Sequence, residues 1–108
     1  MKTYNKLVRD RIPEIIRADG VEPKIRVLDE AEYKSALLDK LVEEAREGVL
    51  ANGHDKELVK ELADLQEVVD SVIRAFGLSR EEIETVKGER RNARGGFEQR
   101  LFLESTDR

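Results

Sequence analysis

An all-α fold built around a helical hairpin is predicted by three features of this 108-residue chain. Two long stretches, 30–50 and 55–76, repeat apolar residues at helical spacing, and only the short Asn52-Gly53 turn separates them. Charged residues make up 41% of the chain while Tyr and Phe together supply its few aromatics, which favours helices with long solvated faces over a packed β-sandwich. The only prolines, Pro13 and Pro23, both fall ahead of the long helices.

Pro13 suits the first turn of a helix, where its missing N–H is not needed, so Arg11 to Ala18 reads as a short helix stopped by Asp19-Gly20. Lys24 to Leu28 then alternates charged with apolar side chains, a brief strand signal. Asp29 followed by Glu32 has the spacing of a capping box, and Leu37, Leu38, Leu41, Val42, Ala45 and Val49 predict a helix from Glu30 to Leu50. Asp55 is the expected cap of a second long helix, striped by Leu58, Leu62, Leu65, Val69, Val72, Ile73 and Phe76 and ended by Gly77. Ser79 and Glu82 repeat the capping spacing and open a more polar helix through Asn92, which Gly95-Gly96 breaks. Phe97 to Leu103 alternates again and is expected to pair as a strand with Lys24 to Leu28.

Length and composition narrow the function classes. A chain of this size is one domain, 1–108, and buries roughly two thirds of its unfolded surface, so a partner subunit would help it. The net charge of −4 argues against general nucleic-acid binding, and the absence of cysteine removes disulfides, thiolate chemistry and Cys-type zinc sites. No stretch approaches the roughly 20 apolar residues of a membrane span, and the first residues lead into no signal-like apolar run. A soluble cytoplasmic protein without membrane partners is the expectation.

Glu44, Glu47, Glu61 and Asp64 form two Glu-x-x-Glu/Asp pairs on the two long helices. Residues three apart on a helix lie on one face, about 5 to 6 Å between Cβ atoms, so each pair aims two carboxylates one way. A projection at 100° per residue puts the first stripe around Leu38, Leu41 and Ala45, with Glu44 at its edge, Glu47 one step further out and Glu43 on the far side. Glu61 borders the Leu58, Leu62 and Leu65 stripe, with Asp64 just beyond it. A short turn makes the helices antiparallel neighbours, which sets Glu47 level with Glu61 and Glu44 level with Asp64. Four converging carboxylates repel each other, and a hard divalent cation such as Mg²⁺ or Mn²⁺, which takes oxygen ligands, would offset that. Charged helices also carry solvated acids with no such role, and Lys40 on the Glu44 flank can neutralise part of the cluster by an ordinary ion pair.

Written out, Glu43-Glu44-Ala45-Arg46-Glu47, thirteen residues, then Glu61-Leu62-Ala63-Asp64 resembles the Glu-Glu-x-x-Glu and Glu-x-x-Asp signature of the MazG-like all-α nucleoside triphosphate pyrophosphohydrolases. Tyr4-Asn5-Lys6-Leu7-Val8-Arg9-Asp10-Arg11-Ile12-Pro13 resembles the start of a compact, phosphoribosyl-ATP pyrophosphohydrolase-like branch of that superfamily, and Arg94-Gly95-Gly96-Phe97 with Arg100 resembles its end. The resemblance implies hydrolysis of a nucleotide between its α and β phosphates, giving the monophosphate and pyrophosphate, with Mg²⁺ or Mn²⁺ as cofactor. It assigns Glu44, Glu47, Glu61 and Asp64 to the metal, and Glu43 to a water-mediated or supporting position. A carboxylate not fully used for coordination would accept the proton of the attacking water, with Glu47 favoured. It also implies that two hairpins pack into a four-helix bundle, as a homodimer or a dimer of dimers.

Phosphates need cations, and Lys6, Arg9, Arg11, Lys87, Arg90, Arg91, Arg94 and Arg100 are available. Lys6, Arg9 and Arg94 fall in the segments that carry the resemblance and are expected to bind substrate phosphate, with Gly95-Gly96 as a close-approach loop. Arg9 can equally pair with Asp10. His54 reads as a surface residue, Phe97 as a core anchor with base stacking as the alternative, and Glu67 and Asp70 as solvated or subunit-facing. Removal of non-standard or surplus nucleotides is the expected role. A nucleotide-sensing or partner-binding bundle without turnover, phosphoribosyl-ATP hydrolysis in histidine synthesis, and nucleic-acid binding through residues 87–100 are the rivals.

Overall fold

The computed structural model describes residues 2–107. Regular structure among them is entirely helical: α1 (Ile12–Ala18), α2 (Glu30–Leu50), α3 (Asp55–Ala75) and α4 (Arg80–Arg94). The chain divides into two compact units, one ending at Gly77 and one beginning at Leu78.

In the first unit Pro13 occupies the opening turn of α1, and Gly20, at φ 79°, turns the chain away behind it. Asp29 caps α2 by accepting a hydrogen bond from the Glu32 N–H at 2.8 Å. The Glu32 carboxylate accepts two hydrogen bonds from the Arg26 guanidinium, at 3.2 and 2.9 Å, which ties the segment before α2 to its first turn. This contact replaces the expected strand. No strand forms among the described residues, Val27 is 94% exposed, and segments 24–28 and 97–103 belong one to each unit. Two short strands with no face to bury are marginal in water.

The α2–α3 turn runs through Gly53 at φ 86°, a conformation that suits glycine, and the His54 N–H donates to the Ala51 carbonyl at 2.9 Å. His54, not Asp55, stands at the N-cap of α3, and it makes no side-chain cap hydrogen bond. Asp55 is the first helical residue, where with Glu57 it complements the positive end of the helix. At the other end of the hairpin the Lys34 ammonium lies 5.4 Å from the Phe76 ring centre.

α2 packs on α3 along one narrow seam. On α2 the inward line is Leu37, Leu41, Glu44, Gly48 and Ala51; on α3 it is Leu58, Glu61, Leu65, Val68 and Val72, in steps of three and four. Leu37, Ala51, Val68 and Ile73 form the buried core. The expected stripe on α2 is therefore displaced by one position: Leu38 is 46% exposed and Ala45 is exposed too. Each helix carries an apolar face wide enough for two neighbours, and a hairpin covers only one of them. Leu38, Val42 and Val49 on α2, with Val59, Leu62 and Val69 on α3, make up the uncovered remainder.

In the second unit Ser79 caps α4, its hydroxyl accepting from the Glu82 N–H at 3.1 Å. No residue of α4 is buried, and Gly95 at φ 82° ends the helix. Arg91 then pairs with Glu98 so closely over Gly96 that a side chain at that position would collide with both. Phe97 is 97% exposed, which overturns its reading as a core anchor. No helix of the described residues is long and apolar enough to cross a membrane.

Leu37→Ala is expected to lower the unfolding free energy by about 2 to 4 kcal/mol, because the seam closes poorly around the lost volume. Leu38→Ala should cost less than about 1 kcal/mol in the isolated chain, its side chain being half in water already. Urea titrations of both variants at low protein concentration check the difference.

Candidate functional site

Two acids occupy seam positions that every neighbouring layer fills with Leu, Val, Ala or Gly. Glu44 follows Leu41 and precedes Gly48 on α2; Glu61 follows Leu58 and precedes Leu65 on α3. The short turn sets these layers opposite each other, and one carboxylate oxygen each from Glu44, Glu61 and Asp64 lies within 4.8 Å of the others. All three are partly buried as residues, the Glu44 side chain retaining only 12% of its accessible surface and that of Asp64 42%. Carboxylates so placed lose hydration and repel each other.

Cations surround this layer. Lys40, one turn before Glu44, places Nζ 3.1 Å from Glu43 Oε2 and 3.4 Å from Glu44 Oε1, with its side chain 17% exposed. Arg9 Nη2 donates to Asp64 Oδ1 at 2.8 Å, and Lys6 Nζ donates to Glu43 Oε1 at 3.4 Å. Two shallow clefts share Glu47. One of about 410 Å³ is lined by Asp39, Val42, Glu43, Arg46 and Glu47. The other, of about 160 Å³, is lined by Glu47, Leu50, Ala51, His54, Glu57 and Glu61.

The electrostatics separate the acids. Loss of water in the seam, then the charges of Glu44, Asp64 and Glu47, raise the Glu61 pKa above the ordinary carboxylate value. Partial burial also pushes Glu43 upward, but its contacts with Lys40 and Lys6 outweigh this and hold it below that value. Glu43 is thus stabilised as an anion by its lysines, whereas every contact that shifts Glu61 disfavours its charged form.

No family model matches the chain, and no solved structure matches it. An uncharacterized protein of Mycolicibacterium smegmatis is similar, 53% identical over 53 residues, which are 49% of this chain and 54% of that protein. The match therefore spans about half the length of this relative.

Of the residues singled out in the sequence, the fold brings Glu44, Glu61 and Asp64 into one group. Glu47 stays exposed at its margin, beside Glu61 in the smaller cleft. Glu43, expected on the far side of α2, is drawn to the flank of the group by Lys40 and Lys6. Arg9 pairs with Asp64 and not with Asp10, whereas Arg11 pairs with Glu14. Arg94 is exposed at the end of α4, in the second unit. His54 is exposed, as expected of a surface residue, and lines the smaller cleft with Glu47 and Glu61.

The donor set suits a hard divalent cation. It is all oxygen, carries excess negative charge, and is preassembled on two rigid helices. A raised pKa means that the folded chain holds the Glu61 proton more tightly than the unfolded chain does. The associated stability is fully present below the ordinary carboxylate pKa and is lost as pH rises through the higher folded value. Glu61→Gln is accordingly expected to raise the thermal midpoint at pH 7 in the presence of a chelator. Its advantage over the parent should shrink toward pH 4, and melting curves at the two pH values check both signs.

Proposed function

We propose that this chain is a metal-dependent nucleotide pyrophosphohydrolase, cleaving a nucleoside triphosphate or a related nucleotide to its monophosphate and pyrophosphate. The carrying observation is the convergence of carboxylate oxygens from Glu44, Glu61 and Asp64 within 4.8 Å of one another at the edge of a helical seam. The resemblance of residues 4–13, 43–64 and 94–100 to the MazG-like enzymes supplies the reaction class, and Mg²⁺, or Mn²⁺, is the proposed cofactor. When bound, such an ion offsets polyphosphate charge and makes water more acidic.

Glu44, Glu61 and Asp64 would hold it, with Glu47 as a fourth ligand or as the base. In the reaction a water oxygen bonds to phosphorus, the bridging bond between the α and β phosphates breaks, and pyrophosphate leaves. The water's proton must go to a carboxylate. Glu47 suits that task better than Glu43: it lies beside Glu61 in the cleft, whereas Lys6 and Lys40 already stabilise the Glu43 anion. Glu43 then serves to position Lys6 and Lys40. Lys6 and Arg9, which pair with Glu43 and Asp64, are proposed to meet the phosphates, and Arg94 is assigned to the same task on the resemblance alone.

The assembled form is proposed to be a homodimer, or a dimer of dimers. Leu38, Val42 and Val49 with Val59, Leu62 and Val69 offer a second apolar flank that another hairpin can cover to complete a four-helix bundle. The proposed setting is cytoplasmic and the proposed role is clearance of non-standard or surplus nucleotides.

Incubation with Mg²⁺ and a panel of ordinary, deoxy and damaged nucleotides should yield monophosphate and pyrophosphate. Glu44→Gln or Asp64→Asn should lower the rate by more than the roughly 10- to 100-fold typical of groups that only support a metal ligand. Release of inorganic phosphate alone would contradict the cleavage position, and nucleotide binding without any product would mark a sensor in place of an enzyme. Sedimentation should show a dimer or larger species, and Val42→Glu with Leu62→Glu should shift it toward monomer.

A further inference from the structure

The counter-ions of the acidic layer are of two kinds. Lys40 issues from α2 itself and is largely enclosed. Lys6 and Arg9 lie ahead of α1 on residues without regular structure, and their side chains are 44% and 59% exposed. Between them Leu7 and Val8 are half-buried, and Asn5 just ahead takes φ 46°, a left-handed conformation that Asn tolerates. The segment is therefore anchored by apolar side chains while its cations remain in water.

The charges do not balance. Glu43, Glu44, Glu47, Glu61 and Asp64 face three cations, Lys6, Arg9 and Lys40. Asp39 and Arg46, one charge of each sign, also line the larger cleft, and Glu57 has its own partner in Lys60. Two negative charges are left over, the deficit that one divalent cation neutralises.

We propose that residues 4–11 form a counter-ion strap in which Arg9 holds Asp64 while the site is empty, yields it to an incoming divalent cation, and is then free to grip polyphosphate. The proposal rests on the assignment of Glu44, Glu61 and Asp64 as metal ligands. An exposed ion pair of this kind biases an equilibrium by less than about fivefold, too little to keep Asp64 from a doubly charged ion at closer range. The released guanidinium presents a planar fork that matches phosphate oxygens. Metal takes Asp64 and polyphosphate takes Arg9, so each frees the partner the other needs, and the two bind with positive linkage.

Binding of Mn²⁺ to the full chain, read from loss of the free-ion electron paramagnetic resonance signal in phosphate-free buffer, tests the strap. Arg9→Gln is expected to tighten Mn²⁺ binding about threefold. Arg9→Lys should stay near the parent value, because a cation still competes for Asp64. Arg11→Gln removes the same charge two residues away, where the guanidinium pairs with Glu14, and should also leave binding near the parent value. Equal tightening by Arg9→Gln and Arg11→Gln would reduce the effect to general charge and overturn the strap, as would unchanged or weaker binding by a folded Arg9→Gln chain. Failure of the underlying site shows differently: the parent would bind no Mn²⁺, or Glu61→Gln would bind it as well as the parent, and the strap would fall with the site.

Discussion

A layer of carboxylates in an otherwise apolar helical seam is the constraint to which the rest of the first unit answers. Seam positions are where two helices exclude water, and Glu44 and Glu61 take up two of them facing each other. Leucines there would pack the hairpin better, so its stability is spent on holding negative charge in place. Lys40, Arg9 and Lys6 offset part of the repulsion, and Glu61, with its pKa raised first by loss of water and then by the neighbouring carboxylates, carries the strain of the layer. Sites preorganised for a cation have this character, because ligands that repel each other when empty gain most when it arrives.

The same constraint bears on assembly. With acids in the middle of the seam, the buried core reduces to Leu37, Ala51, Val68 and Ile73, and no side chain among the described residues is completely enclosed. A hairpin this thin leaves its second apolar flank in water. Covering that flank with another hairpin would bury apolar area outside the acidic seam, so stability would come from one face of each helix and chemistry from the other. Both long helices are apolar over more of their circumference than one neighbour can use, and such a division would account for it.

Much of this was legible in the sequence where local chemistry decides the outcome. Asp29 and Ser79 cap the helices predicted from them, Gly53 makes the predicted turn, and α2 runs from Glu30 to Leu50 as its periodicity requires. The acidic group was legible for the same reason, since two helices joined by a fixed turn leave little freedom of register. What escaped depends on tertiary partners. A wheel drawn around the whole apolar face points at its centre, near Leu38, whereas contact with a single helix selects the Leu37 edge. Alternation at 24–28 and 97–103 resembles strands, yet no strand forms among the described residues, and Arg26 fastens to Glu32 instead. The pairing of Arg9 with Asp64, 55 positions apart, leaves no trace in local pattern.

Anomalous X-ray diffraction from crystals soaked in Mn²⁺ tests the central claim most directly. The account predicts a peak between α2 and α3, within coordinating distance of carboxylate oxygens from Glu44, Glu61 and Asp64, with the Arg9 guanidinium displaced from Asp64. Crystals containing ordered Mn²⁺ elsewhere, with those three side chains still held by protein cations or turned out to solvent, would contradict it.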